Sequence, residues 1–100
     1  MSNEHPTPRW RAAEAQAAQR RTFGANVREQ RVRAGMTQDQ LATTAGLNRT
    51  YVISIEKGRQ NLSLQAIWLI AHAIGVRPET FFTDRDDDAR PPSMTMPSDA

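Results

Sequence analysis

The stretch TQDQLATTAGLNRTYVISIEKG, residues 37–58, constrains this chain more than any other. It reads as two short helices joined by a tight turn. Thr37 suits the cap of the first, because its hydroxyl can accept a bond from an unpaired backbone N–H at a helix start. Leu41, Ala42 and Ala45 recur at helical spacing. Gly46 then stops the helix, since a tight turn calls for a positive φ that glycine adopts at little cost. Leu47 follows as an apolar plug. Asn48 caps the second helix, read over 48–57, whose Val52 and Ile55 face the same core as Leu41. Ala42 matters by being small, which lets two helices cross closely.

The outer face of the second helix carries the chemistry. Arg49, Thr50, Tyr51 and Ser54 cluster in its amino-terminal half, away from Val52 and Ile55. A helix-turn-helix of this kind fits the DNA major groove, where the first residues of the second helix meet base edges. An ordinary helical hairpin with a polar outer face has the same spacing.

One hundred residues allow one small domain, and a hydrophobic content of 38% supports one modest core. The chain has no cysteine, which excludes disulfides, thiolate metal sites and a cysteine nucleophile and fits a reducing compartment. No apolar run reaches the roughly 20 residues of a membrane span, and no signal peptide is visible. A soluble cytoplasmic protein is therefore expected. The net charge of +2 is unevenly placed: +2 over residues 1–22, +3 over 23–82 and −3 over 83–100. A basic domain suits a polyanionic partner, although a solvated surface of ordinary composition also carries such an excess.

Residues 1–6 are polar and expected to be mobile. Thr7 and Pro8 suit a cap and a first-turn proline. Strong helix formers fill 9–21, with Trp10 the one large apolar anchor. Arg9, Arg11, Arg20 and Arg21 are candidates for DNA phosphates, and a solvated helical extension is the alternative. Gly24 is expected to separate this segment from a helix over 25–34, whose thin apolar stripe is Phe23, Val27 and Ala34 with Arg31 on it. A charged residue on such a stripe wants a partner. Gly35 closes that helix, and Met36 leads into the motif. Ser63 caps a further helix, LQAIWLIAHAI, with an expected core face of Leu64, Ile67, Ile70, Ala71 and Ile74. At about 100° per residue Leu69 then points away from the core, with Trp68 at its edge, which suggests a covered surface. RPETFF reads as a final turn in which one of Phe81 and Phe82 closes the core. The acidic, proline-rich tail from residue 83 reads as disordered. The expectation is an all-α fold without strands: an extension (1–22) carrying an extra, partly frayed N-terminal helix, a five-helix domain (23–82) and a tail (83–100).

Residues 23–82, sixty of the hundred, resemble the Cro/C1-type helix-turn-helix family of phage repressors and bacterial regulators, a lambda-repressor-like fold. The matching positions are Arg31 and Gly35; T-Q-x-x-L-A from Thr37; Gly46-Leu47; and V-x-x-I-E-x-G from Val52 to Gly58. Locally, NRTYVISIEKGRQNLSL is similar to controller proteins of restriction–modification systems. Leu62 stands where many members have proline, and Ile53 where many have serine. The resemblance implies that Gln38 binds a phosphate and buttresses the recognition helix. It implies that Arg49 and Thr50 reach base edges, Ser54 follows one turn on, and Tyr51 touches the backbone or a thymine methyl. Asn48 opens this DNA-binding set, and Asn61, with Lys57 or Arg59, holds phosphates at its end. Plain solubility accounts equally well for Lys57 and Arg59. Arg31 and Glu56 are implied as a structural ion pair.

An enzyme is not expected, because His5 and His72 stand apart, without a cysteine or paired core carboxylates. Asp84, Asp86, Asp87 and Asp88 lack the glycine and glutamate of a calcium loop, so no metal or other cofactor is expected. The competing class is an antitoxin that binds a partner toxin and autoregulates its own operon. Double-stranded DNA is the expected partner. The expected assembly is a homodimer on a palindromic operator, because one recognition helix covers few base pairs and a two-fold pair supplies two half-sites. Its interface is expected at Trp68, Leu69, Ala73 and Phe82, unless Trp10 folds back over Leu69 within one chain.

Overall fold

The computed structural model describes residues 9–84. The expected mobile lead, the Thr7–Pro8 cap and the tail from residue 85 onward lie outside the described residues. Four α-helices and a short 3-10 helix make up the rest: α1 (Arg9–Arg33), α2 (Gln38–Ala45), α3 (Arg49–Glu56), α4 (Leu64–Ile74) and the 3-10 turn Pro78–Phe82. No strand occurs among the described residues.

The amino-terminal third corrects the sequence reading. Gly24 does not divide two helices; one helix of 25 residues runs through it, roughly 37 Å long at 1.5 Å per residue. A mid-helix glycine costs about 1 kcal/mol relative to alanine, and here the packing explains it. A Cβ at Gly24 would collide with the Ile55 carbonyl oxygen and stand 2.9 Å from that of Glu56. The missing side chain lets α1 lie directly on the carboxyl end of α3. The helix also stops earlier than expected, at Arg33, and Ala34 is exposed rather than part of the apolar stripe.

The other helices begin where side chains satisfy their first N–H groups. Thr37 Oγ1 accepts from Gln40 N at 3.0 Å while Gln40 Oε1 accepts from Thr37 N at 2.8 Å, a reciprocal capping box. Asn48 Oδ1 accepts from Thr50 N at 2.7 Å, and Ser63 Oγ from Ala66 N at 3.0 Å. Gly46 ends α2 at φ 72°.

Phe23 and Val27 of α1, Leu41, Ala42 and Ala45 of α2, Val52 and Ile55 of α3, Ile70 and Ala71 of α4, and Phe81 form the core. Phe81 is fully buried, edge-on to Phe23 at 5.3 Å, whereas Phe82 is exposed. Asn26, buried on α1, donates through Nδ2 to the carbonyls of Phe81 at 2.9 Å and Thr83 at 2.8 Å, tying the 3-10 turn to the first helix.

Helix α4 is rotated from the expected orientation. Leu64 is 71% exposed, not a core residue, and Ala66 is buried in its place. Leu69, expected to point away, is half-buried against the core. The core face is turned by roughly 60° on a wheel of 100° per residue. Apolar residues surround most of α4, so its periodicity leaves the rotation undetermined. Ala66, Ile70 and Ala71 are the residues it buries, with Ile67 and Ile74 half-buried beside them.

Candidate nucleic-acid interface

Helices α2 and α3 pack against each other, and α3 presents its start to solvent. Arg49 and Thr50 are exposed, while Tyr51 and Ser54 are half-buried beneath them; Tyr51 packs on the core edge. Val52 and Ile55, on the opposite side, are buried. The same periodicity that anchors α3 therefore turns its polar residues outward, and the Asn48 cap fixes where the helix begins.

A hydrogen-bonded cluster holds α3 from behind. Arg31 Nε meets Glu56 Oε2 at 2.6 Å and Arg31 Nη2 donates to Glu56 Oε1 at 3.1 Å, a two-pronged ion pair with both side chains almost wholly buried. Arg31 Nη1 also donates to the Met36 carbonyl at 2.7 Å, and Gln38 Nε2 donates to Glu56 Oε1 at 3.0 Å. The Glu56 carboxylate thus joins α1, α2 and α3, and Arg31 adds the α1–α2 turn. The two residues that the family resemblance pairs are in contact, and the amide nitrogen of Gln38 braces α3 from within the same cluster. Burying two charges is costly unless they are paired and hydrogen-bonded, and here all three guanidinium nitrogens and both carboxylate oxygens have partners.

Arg49 has a partner that spacing did not reveal. Its Nε lies 3.0 Å from Asp39 Oδ1, between the exposed starts of α3 and α2. Both side chains are more than half exposed, so the pair contributes only about 0–1 kcal/mol and is easily exchanged for another acceptor. No periodic signal links two residues ten positions apart on different helices.

Lys57, Arg59 and Asn61 follow α3 and are exposed. Arg20, from the amino-terminal half of α1, donates through Nη1 to Asn61 Oδ1 at 3.2 Å. Gly58, with φ +74°, sits so near α1 that a Cβ there would stand 2.8 Å from Arg21 Cα. The extension and the loop after α3 are thereby one surface, although 37 residues separate Arg21 from Gly58. Ile53 is half-buried.

The residues expected at a subunit contact are spread over two environments. Trp68 and Phe82 are 57% and 59% exposed, while Leu69 and Ala73 pack half-buried against the core. The apolar ridge on the outside of α4 is Leu64 and Trp68, one helical turn apart. Trp10 is exposed, with the Arg11 guanidinium 4.9 Å over its ring. No group of three potential metal ligands gathers among the described residues, and no described helix is long and apolar enough to cross a membrane.

Residues 27–81 match the family model described as Helix-turn-helix. The chain is 43% identical over 58 residues to "Control protein C.BamHI" of Bacillus amyloliquefaciens, covering 57% of this chain and 72% of that protein. Its fold resembles the restriction-modification controller protein C.AhdI from Aeromonas hydrophila, with TM-score 0.64, 38% identity, and coverage of 65% of this chain and 98% of the other. It also resembles the controller protein C.Esp1396I, with TM-score 0.59, 32% identity, and coverage of 63% and 83%. Solved forms of C.Esp1396I include replacements of an arginine, a threonine and a tyrosine at three consecutive positions.

Proposed function

Because this chain belongs to the Cro/C1-type helix-turn-helix family of DNA-binding transcriptional regulators, which are not enzymes, we propose that it reads one operator sequence in the major groove through the start of α3. The observation that carries this reading is the exposed Arg49-Thr50 edge on a helix braced from behind by the Arg31–Glu56–Gln38 cluster. A rigid helix turns side chains into specificity, because a base contact discriminates only when its geometry is fixed.

Arg49 is assigned to a guanine edge, where its fork meets O6 and N7, and Thr50 and Ser54 to neighbouring base edges. Tyr51 is assigned to the backbone or a thymine methyl. Asn48, Gln38, Lys57, Arg59 and Asn61 hold flanking phosphates. The order Arg49-Thr50-Tyr51 repeats the residue types altered at consecutive positions in C.Esp1396I, which supports this edge as the reading surface. The proposed assembly is a homodimer joined through the outer ridge of α4, giving two half-sites about 34 Å apart.

Footprinting on DNA from upstream of its own gene tests the reading. Two symmetric protected half-sites separated by about one helical turn are expected. Protection without symmetry would reject the dimer, and equal retention of operator and unrelated DNA would reject sequence reading.

A further inference from the structure

We propose that the amino-terminal half of α1, through Arg20 and Arg21, is a second phosphate-binding element, extending the DNA contact beyond the helix-turn-helix motif. The inference rests on the DNA-binding reading and deepens it. Both arginines precede the family match at 27–81.

The placement comes from two close approaches. Gly58, two residues beyond the end of α3, lets the chain pass against the backbone of Arg21, where any Cβ would meet Arg21 Cα at 2.8 Å. Three residues later, Asn61 Oδ1 accepts from Arg20 Nη1 at 3.2 Å. This bond uses the amide oxygen of Asn61 and leaves its NH2 group, like the remaining N–H groups of the Arg20 guanidinium, as donors. The paired side chains therefore offer donors on their free sides, which suits an acceptor-rich anion such as a phosphodiester.

Charge distribution supplies an independent observation. Among the described residues Glu29, Asp39, Glu56 and Glu79 each hold an arginine: Arg33, Arg49, Arg31 and Arg77 respectively. Arg11, Arg20, Arg21, Arg28, Lys57 and Arg59 have no such carboxylate partner, and four of these six, Arg20, Arg21, Lys57 and Arg59, lie beside the Gly58 and Asn61 contacts. Four cations thus lie along one short stretch of surface where α1 meets the end of α3. The carboxyl end of α3 attracts positive charge through its dipole, but that effect falls off within the last turn. An unneutralised set beside a recognition helix matches a polyphosphate backbone.

Each phosphate neutralised releases counterions and contributes about 0.9 to the slope of log K against log salt on duplex DNA. The full chain should be titrated against a mixed-sequence duplex of about 30 base pairs at several KCl concentrations, since this contact is independent of sequence. R20Q/R21Q should lose about 1.8 from the slope per bound chain, and R20K/R21K should keep it. R33Q/R77Q removes the same charge from arginines already holding carboxylates and should lose much less. If R20Q/R21Q does not fold, the single R21Q should lose about 0.9. A slope unchanged in the glutamine variants, with or without a lower melting temperature, overturns the proposal, as does an equal drop in R33Q/R77Q. Absence of any salt-dependent binding by the wild type would remove the DNA reading itself, a distinguishable result.

Discussion

Arg49 and Arg31 show how burial decides what an arginine does. Arg49 is exposed, loosely held by Asp39, and available to a base. Arg49→Ala should cost about 1–3 kcal/mol on the operator and flatten preference at one base pair per half-site. Lys57→Ala should instead weaken operator and random DNA alike and lower the salt slope by about 1. Competition titrations against single-base operator variants separate these outcomes. Arg31 is buried and bonded through all three guanidinium nitrogens. Arg31→Leu or Glu56→Leu strands the remaining charge and should cost about 3–5 kcal/mol. The double replacement should be milder than either one, and additive shifts in urea midpoints would reject the coupling. Asn26 is a third kind of residue, a neutral polar group whose two donors hold the carbonyls of Phe81 and Thr83. Asn26→Ala leaves both acceptors without it and should lower stability by about 1–3 kcal/mol in the same measurement.

At the scale of elements, the positions without side chains are as decisive as the apolar ones. Helix α1 reaches α3 at Gly24 and the following loop at Gly58, so these two contacts fix the angle at which the long helix crosses the motif. Alanine is the better helix former by about 1 kcal/mol. Gly24→Ala should nonetheless destabilise, because its methyl meets backbone carbonyls that cannot turn aside, and overpacking of this kind costs about 1–3 kcal/mol. Thermal unfolding should register this as a lower melting temperature. A rise would mean that α1 shifts freely over α3.

At the scale of the whole molecule, the outer ridge of α4 governs the proposed assembly. Leu64 and Trp68 are exposed one turn apart, whereas Leu69 contributes to the core edge. A charge at Leu69 would therefore disturb folding and association together, and Trp68 is the cleaner probe. Trp68→Glu should sediment as a folded monomer with much weaker operator binding, because losing one subunit removes one half-site. A dimeric Trp68→Glu, or a monomeric wild type, would refute this interface.

Local chemistry made the motif legible from the chain alone. Thr37 and Asn48 cap their helices through neighbours two or three residues away, and Gly46 turns the chain within the same few residues. Leu41, Val52 and Ile55 are spaced so that any packed arrangement buries one face and leaves Arg49 and Thr50 outside. Tertiary packing decided the rest. Gly24 carries the same local signal whether it breaks a helix or admits a neighbour; the carbonyls of Ile55 and Glu56 determine which. The rotation of α4 is similarly open in a helix apolar on most sides, until packing buries Ala66, Ile70 and Ala71. Asp39 meeting Arg49, and Arg20 meeting Asn61, depend on helices brought together by a core to which none of the four belongs. Periodicity reports which face of a helix is buried, but only the packed core determines which exposed side chains become neighbours.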